Sequence, residues 1–122
     1  MVNSILIICE DSPFGKNSAI ETIRMAAGLL AVGDIDDSKV VLLNDAVYFL
    51  SKNIDPNALQ VDHFKNMMRL IDLSDLEIYV HDEALQIAGM GVSDLVSSDN
   101  IKVVNIEKIS ELIAEANMTF KY

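Results

Sequence analysis

Five short runs of mainly apolar residues, separated by longer segments of helical pattern, constrain the fold of this chain more than any other feature. The runs predict strands over residues 5–9, 39–43, 76–80, 101–104 and 118–122. The first two are nearly continuous and rich in β-branched residues, which is typical of strands buried on both faces of a parallel sheet. The last run alternates apolar and polar residues and predicts a strand at the sheet edge.

Between these runs, capping residues and helical periodicity predict helices. Ser18, followed by Glu21, predicts the start of a helix that continues to about Val32. The apolar residues of that helix lie almost all the way round, so we expect it to be buried in the core or against another subunit. Asp82 and Asn105 are predicted to cap two later helices.

Strands and helices alternate along the whole chain. This order predicts one α/β domain over residues 1–122, a three-layer αβα fold with a mainly parallel five-stranded sheet of flavodoxin-like type. A chain of this length can bury a core of its own. In parallel sheets, binding sites form beyond the carboxyl ends of the strands. That rule selects residues 10–17, 44–45 and 81–82 as the segments in which to look for a site.

Composition excludes several classes of function. Nineteen acidic residues against nine basic ones give a net charge of −10, and the basic residues are scattered singly. Because binding to a nucleic-acid backbone needs concentrated Lys and Arg, we expect no direct nucleic-acid binding. We also expect no membrane span and no signal peptide, since the apolar runs are short and no basic segment leads the first one. One cysteine cannot form an internal disulfide, which favours a cytoplasmic protein.

The loop after the first strand is one candidate ligand site. Gly15 and Lys16, together with the backbone N–H groups at the start of the following helix, are suited to an anion. Ser12 and Asn17 lie in the same loop. The spacing matches neither a Walker loop nor a dinucleotide-binding glycine motif. The alternative is an ordinary strand-to-helix turn with Lys16 in solvent.

Three further residues lie at the ends of predicted strands. Asp45 follows the second strand and His81 follows the third, so both join the first loop in the predicted ligand pocket. Histidine is the residue type whose charge changes near neutral pH, so His81 is a candidate general acid or base. Cys9 is a candidate nucleophile, but it ends an apolar run, where cysteine usually behaves as a small buried hydrophobe. We therefore assign no catalytic residue.

The sequence predicts no metal site and no cofactor. It has no Cys–His spacing typical of metal ligands, and the acidic turn 34–37 lacks the glycine and glutamate of an EF-hand loop. Glu10, Asp11 and Asp82 are loosely similar to the acidic site of a phosphoacceptor receiver domain. The long segment between the second and third strands counts against that alternative.

Four segments, in this order and spacing, resemble the DsrE/DsrF/TusC family of small sulfur-relay proteins, and the DsrF/TusC branch most. They are the first strand with Ser12-Pro13-Phe14-Gly15 and an alanine-rich helix, Val41 to Leu50, Leu76 to His81 leading into Ala84-Leu85 and Gly89, and Thr119 to Tyr122. The resemblance covers nearly the whole chain. It implies a DsrE-like α/β fold and assembly into homo-oligomers, or into hetero-oligomers with DsrE-like paralogues.

The same resemblance bears on chemistry. Certain members of that family carry sulfur as a persulfide on a cysteine just after the third strand, and pass it on in tRNA thiolation or sulfur oxidation. The matching stretch here is Val80-His81-Asp82, which has no cysteine. Because a persulfide needs a thiolate, the resemblance implies a non-catalytic subunit of a sulfur-relay-like assembly. The alternative is a small-ligand- or anion-binding protein, or an enzyme, that uses the pocket around His81.

Overall fold

The computed structural model describes residues 3–13, 18–32, 35–52, 64–96 and 98–122. Within these ranges the chain forms five strands, all parallel to their neighbours. They are β1 (Ser4–Cys9), β2 (Asp37–Leu42), β3 (Glu77–His81), β4 (Ile101–Val104) and β5 (Met118–Lys121). Each lies within two residues of the predicted bounds, which confirms the reading of the apolar runs.

The described helices lie between the strands, in agreement with the predicted alternation of strands and helices. They are α1 (Ser18–Val32), α2 (Phe64–Ser74), α3 (Asp82–Ile87) and α4 (Ile106–Glu115), with 3₁₀ helices at Asn44–Leu50 and Val92–Asp94. In the ranges given above, none of these helices has the length and apolar character needed to cross a membrane.

Two of the predicted caps, Asn105 and Asp82, have different outcomes. Asn105 caps α4 as predicted, because its Oδ1 atom accepts a hydrogen bond from the backbone N–H of Lys108 at 2.9 Å. The prediction that Asp82 caps α3 is wrong, because β3 continues to His81, and His81 takes the capping position without a side-chain bond. Asp82 is the first helical residue, and its carboxylate accepts from the backbone N–H of Glu83 at 2.7 Å.

The strand order β4-β3-β2-β1-β5 explains how the helices are distributed. Right-handed crossovers that step in one direction across a parallel sheet place their connections on one face. The steps from β1 to β4 all run in one direction, whereas the return from β4 to β5 runs the other way and places α4 on the opposite face. The three-layer α/β fold is confirmed, although its strand order differs from the flavodoxin order 2-1-3-4-5.

The first face of the sheet, defined by Ile7, Val40 and Ile78 at paired register positions, carries most of the core. These three side chains are fully buried. Residues of α1, of α2 and of the 3₁₀ helix Asn44–Leu50 pack against this face, with Phe49 among the largest buried side chains. Fully burying one such side chain stabilises the fold by about 1.5–3 kcal/mol.

The second face, defined by Leu6, Val41 and Tyr79, is covered by α4. Ile109 and Leu112 of that helix pack directly on these strand residues and are almost completely buried. The helix α4 crosses this face from the carboxyl end of β4 to the amino end of β5. The buried apolar residues of the face are therefore those that lie directly under α4.

Polar side chains occupy the second face towards the amino ends of β2, β3 and β4. The Tyr79 hydroxyl donates a hydrogen bond to the Glu77 carboxylate, and Lys39 pairs with Asp37. Lys102 Nζ lies 3.5 Å from Glu77 Oε2 and 5.7 Å from the centre of the Tyr79 ring. The hydrogen bond from Tyr79 is the main cause that lowers the pKa of Glu77. Burial, followed by the bond to Glu77, raises the pKa of Tyr79 far above its usual range.

Candidate functional site

The predicted ligand residues are distributed unevenly along the carboxyl edge of the sheet. Asp45 and His81 line one cavity together. Ser12 does not lie among the described residues that line it. The remaining predicted residues, Gly15, Lys16 and Asn17, lie outside the described residues, which resume at Ser18, the first residue of α1.

This cavity, which we call the β2–β3 cavity, lies between the 3₁₀ helix Asn44–Leu50 and α3. Its volume is about 340 Å³, within the range of small-ligand sites. The described lining residues are Asn44, Asp45, Tyr48, His81, Glu83, Ala84, Ile87 and Ala88. It therefore lies outside the carboxyl ends of two adjacent parallel strands, where the sequence predicted a site.

The local sequence explains why the chain opens a space here. Asn44 adopts a left-handed backbone conformation, with φ at 50°, which asparagine tolerates better than most residues. It turns the chain sharply from β2 into the 3₁₀ helix. Residues three apart are aligned on a 3₁₀ helix, so Asp45 and Tyr48 both reach the cavity. The buried side chains Ala46, Val47, Phe49 and Leu50 anchor the other side of this helix.

His81 is the most unusual group of the cavity. Its register partner on β4 is Val104, and its side chain is only 16 % exposed. The Nε2 atom is buried and has no hydrogen-bond partner among the described residues. Asp82 Oδ1 lies 3.8 Å from Nε2, beyond hydrogen-bonding distance. A buried polar atom without a partner costs about 1–3 kcal/mol, so the imidazole is held at some cost to stability.

The charges around the cavity are acidic. Asp45 and Glu83 are exposed at its rim, and in the described part of the chain neither forms an ion pair with a basic side chain. No lysine or arginine is found among the described residues that line it. The described part of the cavity therefore favours a cation or a hydrogen-bond donor over an anion.

Cys9 lies at the end of β1 on the first face and is fully buried. Burial is the main cause that raises the pKa of its thiol, although contacts with the Asp11 backbone N–H and the Thr22 hydroxyl act in the opposite direction. Because the thiolate is the reactive form, a buried thiol with a raised pKa is a poor nucleophile. This placement favours a structural role for Cys9.

The acidic residues that suggested a receiver domain do not form one site. Glu10 Oε2 lies 2.8 Å from the Lys121 ammonium on β5, and Asp11 accepts a hydrogen bond from the Ser18 hydroxyl at 3.0 Å. Asp82 follows β3, which is separated from β1 by β2. Two strand spacings amount to about 10 Å, so the receiver interpretation is wrong. In the described ranges, no three His, Cys, Asp or Glu side chains converge as metal ligands do.

Sequence reasoning missed a second and larger cavity, of about 640 Å³, beside β4. Its described lining is mainly apolar and consists of Lys52, Val92, Ser93, Leu95, Val96, Ser98, Ile101 and Val103. An antiparallel bridge between Ser51 and Leu95 holds two of its walls together. No local pattern indicates a bridge between segments so far apart in sequence. In the β2–β3 cavity, by contrast, the three-residue spacing from Asp45 could have identified Tyr48.

Comparison with known proteins gives the family of this chain. The model of the DsrE/DsrF-like family matches residues 3–122. A protein named TusC homolog from Pasteurella multocida is 31 % identical over 93 residues, which are 75 % of this chain and 78 % of that protein. A second TusC homolog, from Vibrio parahaemolyticus, is 24 % identical over 122 residues, which are 99 % of this chain and 100 % of that protein.

Solved structures agree at the level of the fold. The crystal structure of the ychN protein from E. coli has a TM-score of 0.81 at 16 % identity, covering 98 % of this chain and 99 % of that one. A protein of unknown function from Methanobacterium thermoautotrophicum has a TM-score of 0.66 at 14 % identity, with the same coverage. The two TusC homologs are consistent with the DsrF/TusC branch that the sequence motifs indicated. The chain belongs to the DsrE/DsrF-like family.

Proposed function

We propose that this chain is a non-carrier, non-catalytic subunit of a cytoplasmic sulfur-relay-like assembly that serves tRNA thiolation or sulfur oxidation. The observation that carries this proposal is the residue at the end of β3. His81 followed by Asp82 stands where the family resemblance implies the persulfide cysteine of carrier members. Neither an imidazole nor a carboxylate can form a persulfide, since that requires a thiolate sulfur.

Cys9 supports the same conclusion because it is a poor substitute for a carrier cysteine. It is the single cysteine of the chain. A relay thiol must meet the sulfur of its partner, whereas Cys9 is fully buried beneath the first face of the sheet. Its raised thiol pKa also reduces the thiolate fraction at neutral pH.

Exposed apolar side chains at the β5 edge support the subunit part of the proposal. Met118, Phe120 and Tyr122 are 40 %, 42 % and 43 % exposed. The register with Ile5 and Ile7 places Met118 and Phe120 on the first face, beyond the fully buried core. Contiguous exposed apolar surface of this kind is typical of protein–protein contact.

The proposal is tested by affinity capture of the tagged chain from its native host at natural abundance, followed by intact-complex mass determination. We expect stoichiometric small paralogues, one of which has a cysteine after its third strand. A Phe120→Glu variant is expected to lose them, whereas Leu73→Glu, at an exposed position on α2, serves as the matched control. A homo-oligomer without such a paralogue contradicts the proposal.

A second candidate function, a small-ligand-binding protein or enzyme, is favoured by the unpaired Nε2 atom of His81 beside the β2–β3 cavity. It is tested by complementation of a host that lacks the native chain, with thiolated tRNA or oxidised sulfur as the readout. Loss of complementation by a His81→Ala protein that still folds and assembles favours this second function. Full complementation by the same variant counts against it.

A further inference from the structure

We propose that the β2–β3 cavity receives a basic side chain, lysine or arginine, from a partner protein. The inference rests on the proposed function, because it names the kind of contact that a non-carrier subunit makes at the end of β3. The cavity is an indentation between two short helical segments, with a volume of about 340 Å³. That volume fits the end of one long side chain.

Charge complementarity supports a basic occupant. Asp45 approaches from the 3₁₀ helix and Glu83 from α3, so carboxylates stand on two different walls. Within the described ranges neither is neutralised by an ion pair, and no described lining residue is basic. An acidic occupant meets like charge on both sides, whereas an ammonium or guanidinium group is attracted by both walls.

The apolar part of the cavity fits the stem of the same side chain. Ala84 and Ala88 line it, and Ile87 stands beside them with 88 % of its surface exposed. Lysine and arginine combine an aliphatic stem with a charged head, so the stem packs against Ile87 while the head meets the carboxylates. A small inorganic cation leaves this apolar surface uncovered.

The imidazole of His81 adds a polar group without a partner. His81 is one of the residues that line the cavity, and its buried Nε2 atom has no hydrogen-bond partner among the described residues. The terminal ring torsion of histidine is broad, so a modest rotation presents this nitrogen to an entering group. Arginine carries five N–H donors in a planar fork and lysine carries three donors, so either supplies the missing bond in the tautomer in which Nε2 carries no proton and accepts.

The test is an NMR titration of the full-length isotope-labelled chain in its native assembly state. The probes are N-acetyl-arginine methylamide and N-acetyl-lysine methylamide, with the glutamine and glutamate analogues as controls. We expect saturable shifts of the His81 side-chain signals and of the Glu83, Ala84 and Ala88 amides with the basic probes only. We expect Asp45→Asn and Glu83→Gln each to weaken that binding about two- to fivefold. Glu111→Gln on α4 makes the same charge change outside the cavity and is expected to leave the affinity unchanged.

Several outcomes overturn the inference. They are equal binding of the glutamine and arginine probes, no saturable shift, or the same loss of affinity in Glu111→Gln as in Asp45→Asn. Putrescine is included as a free diamine without a peptide backbone, and tighter binding of putrescine than of either basic probe overturns the assignment to a partner protein. If affinity capture finds the paralogues and the basic probes do not bind, this inference alone fails. If capture finds none and the basic probes bind, the proposed function fails and the cavity keeps its preference.

Discussion

The two faces of the sheet bury apolar surface with different amounts of helix. The first face lies under α1, α2 and the 3₁₀ helix Asn44–Leu50, and its strand residues are apolar along most of their length. The second face lies under α4 alone and is apolar only along the track of that helix. Beside the residues that α4 buries, Lys39, Glu77 and Lys102 occupy the strand positions. The direction of each crossover, more than strand propensity, thus explains which strand residues are buried.

The two candidate reactive side chains, Cys9 and His81, also lie on different faces and differ in burial. Cys9 points into the covered first face and is fully buried. His81 shares its face with Tyr79, two residues earlier on β3, and reaches the edge of the sheet beside a cavity. A thiol in a closed core is protected from reagents, whereas a side chain at an open edge lines a space that a ligand can enter.

The largest expected effect compares leucine truncation on the two faces. Leu42→Ala removes a fully buried side chain from the first face, and we expect a loss of about 4 kcal/mol in the free energy of unfolding. Leu112→Ala on α4, at a site that is 5 % exposed, is expected to lose about 2–3 kcal/mol because a single surface helix relaxes more easily. Urea denaturation measures both values, and equal losses contradict the difference between the faces.

Protection of the Cys9 thiol is the next effect. Because alkylation requires the core to open, we expect iodoacetamide to react at least about a hundredfold more slowly with the folded chain than with the chain in urea. Since the chain has one cysteine, intact mass follows the reaction without ambiguity. Rapid single-site labelling of the folded protein shows instead that the end of β1 is open.

The pH dependence of stability sharpens the comparison further. The Glu77 pKa is lowered in the fold, so its contribution is present above the ordinary value of 4.5 and is lost as the pH falls below it. The Cys9 pKa is raised, so its contribution is present below 9.0 and is lost as the pH rises past that value. The Tyr79 pKa is also raised, mainly by burial, so its contribution is lost as the pH rises past 10.0. We therefore expect stability to fall at both extremes, through Glu77 at acid pH and through Cys9 and Tyr79 at alkaline pH.

Single variants distinguish the loss of stability at acid pH (the acid limb) from the loss at alkaline pH (the alkaline limb). Glu77→Gln is expected to reduce the loss of stability at acid pH by up to about 1 kcal/mol. It is also expected to reduce the loss above pH 10.0, because the Glu77 carboxylate is one of the causes that raise the pKa of Tyr79. Cys9→Ala is expected to reduce the alkaline limb, while Glu111→Gln alters neither. Urea midpoints between pH 3 and pH 10.5 measure these changes, and an acid limb that is unchanged in Glu77→Gln contradicts the assignment.

The smallest expected effect is the removal of Lys102. Its ammonium group lies 3.5 Å from Glu77 Oε2, and the two side chains are 47 % and 40 % exposed, so Lys102→Ala is expected to cost no more than about 0.5 kcal/mol. The loss should shrink in 0.5 M salt, because exposed ion pairs are screened. A loss above 2 kcal/mol contradicts this expectation and means that the contacts of Lys102 stabilise the second face more than an exposed ion pair does.

Part of the site could be predicted because it depends on one general rule. Asp45 and His81 end adjacent parallel strands, and such ends meet at one edge of a sheet. Glu83 was missed because its position beside the cavity depends on the residue at which α3 begins. The sequence predicted Asp82 as the cap of α3, whereas β3 pairs with β4 as far as His81, so Asp82 and Glu83 are both within the helix. The larger cavity was missed because it depends on a bridge between Ser51 and Leu95.

The sequence by itself determined the elements of this protein. Apolar runs specify the strands, helical periodicity specifies the helices, and a side chain such as Asn105 specifies a helix start, because all these effects act within a few residues. Only the tertiary structure decided that β2 separates β1 from β3, that α4 crosses to the second face, and that Asp45, Tyr48 and Glu83 share a cavity. Those outcomes depend on crossover handedness and on burial between distant segments, and both require the whole chain to be folded.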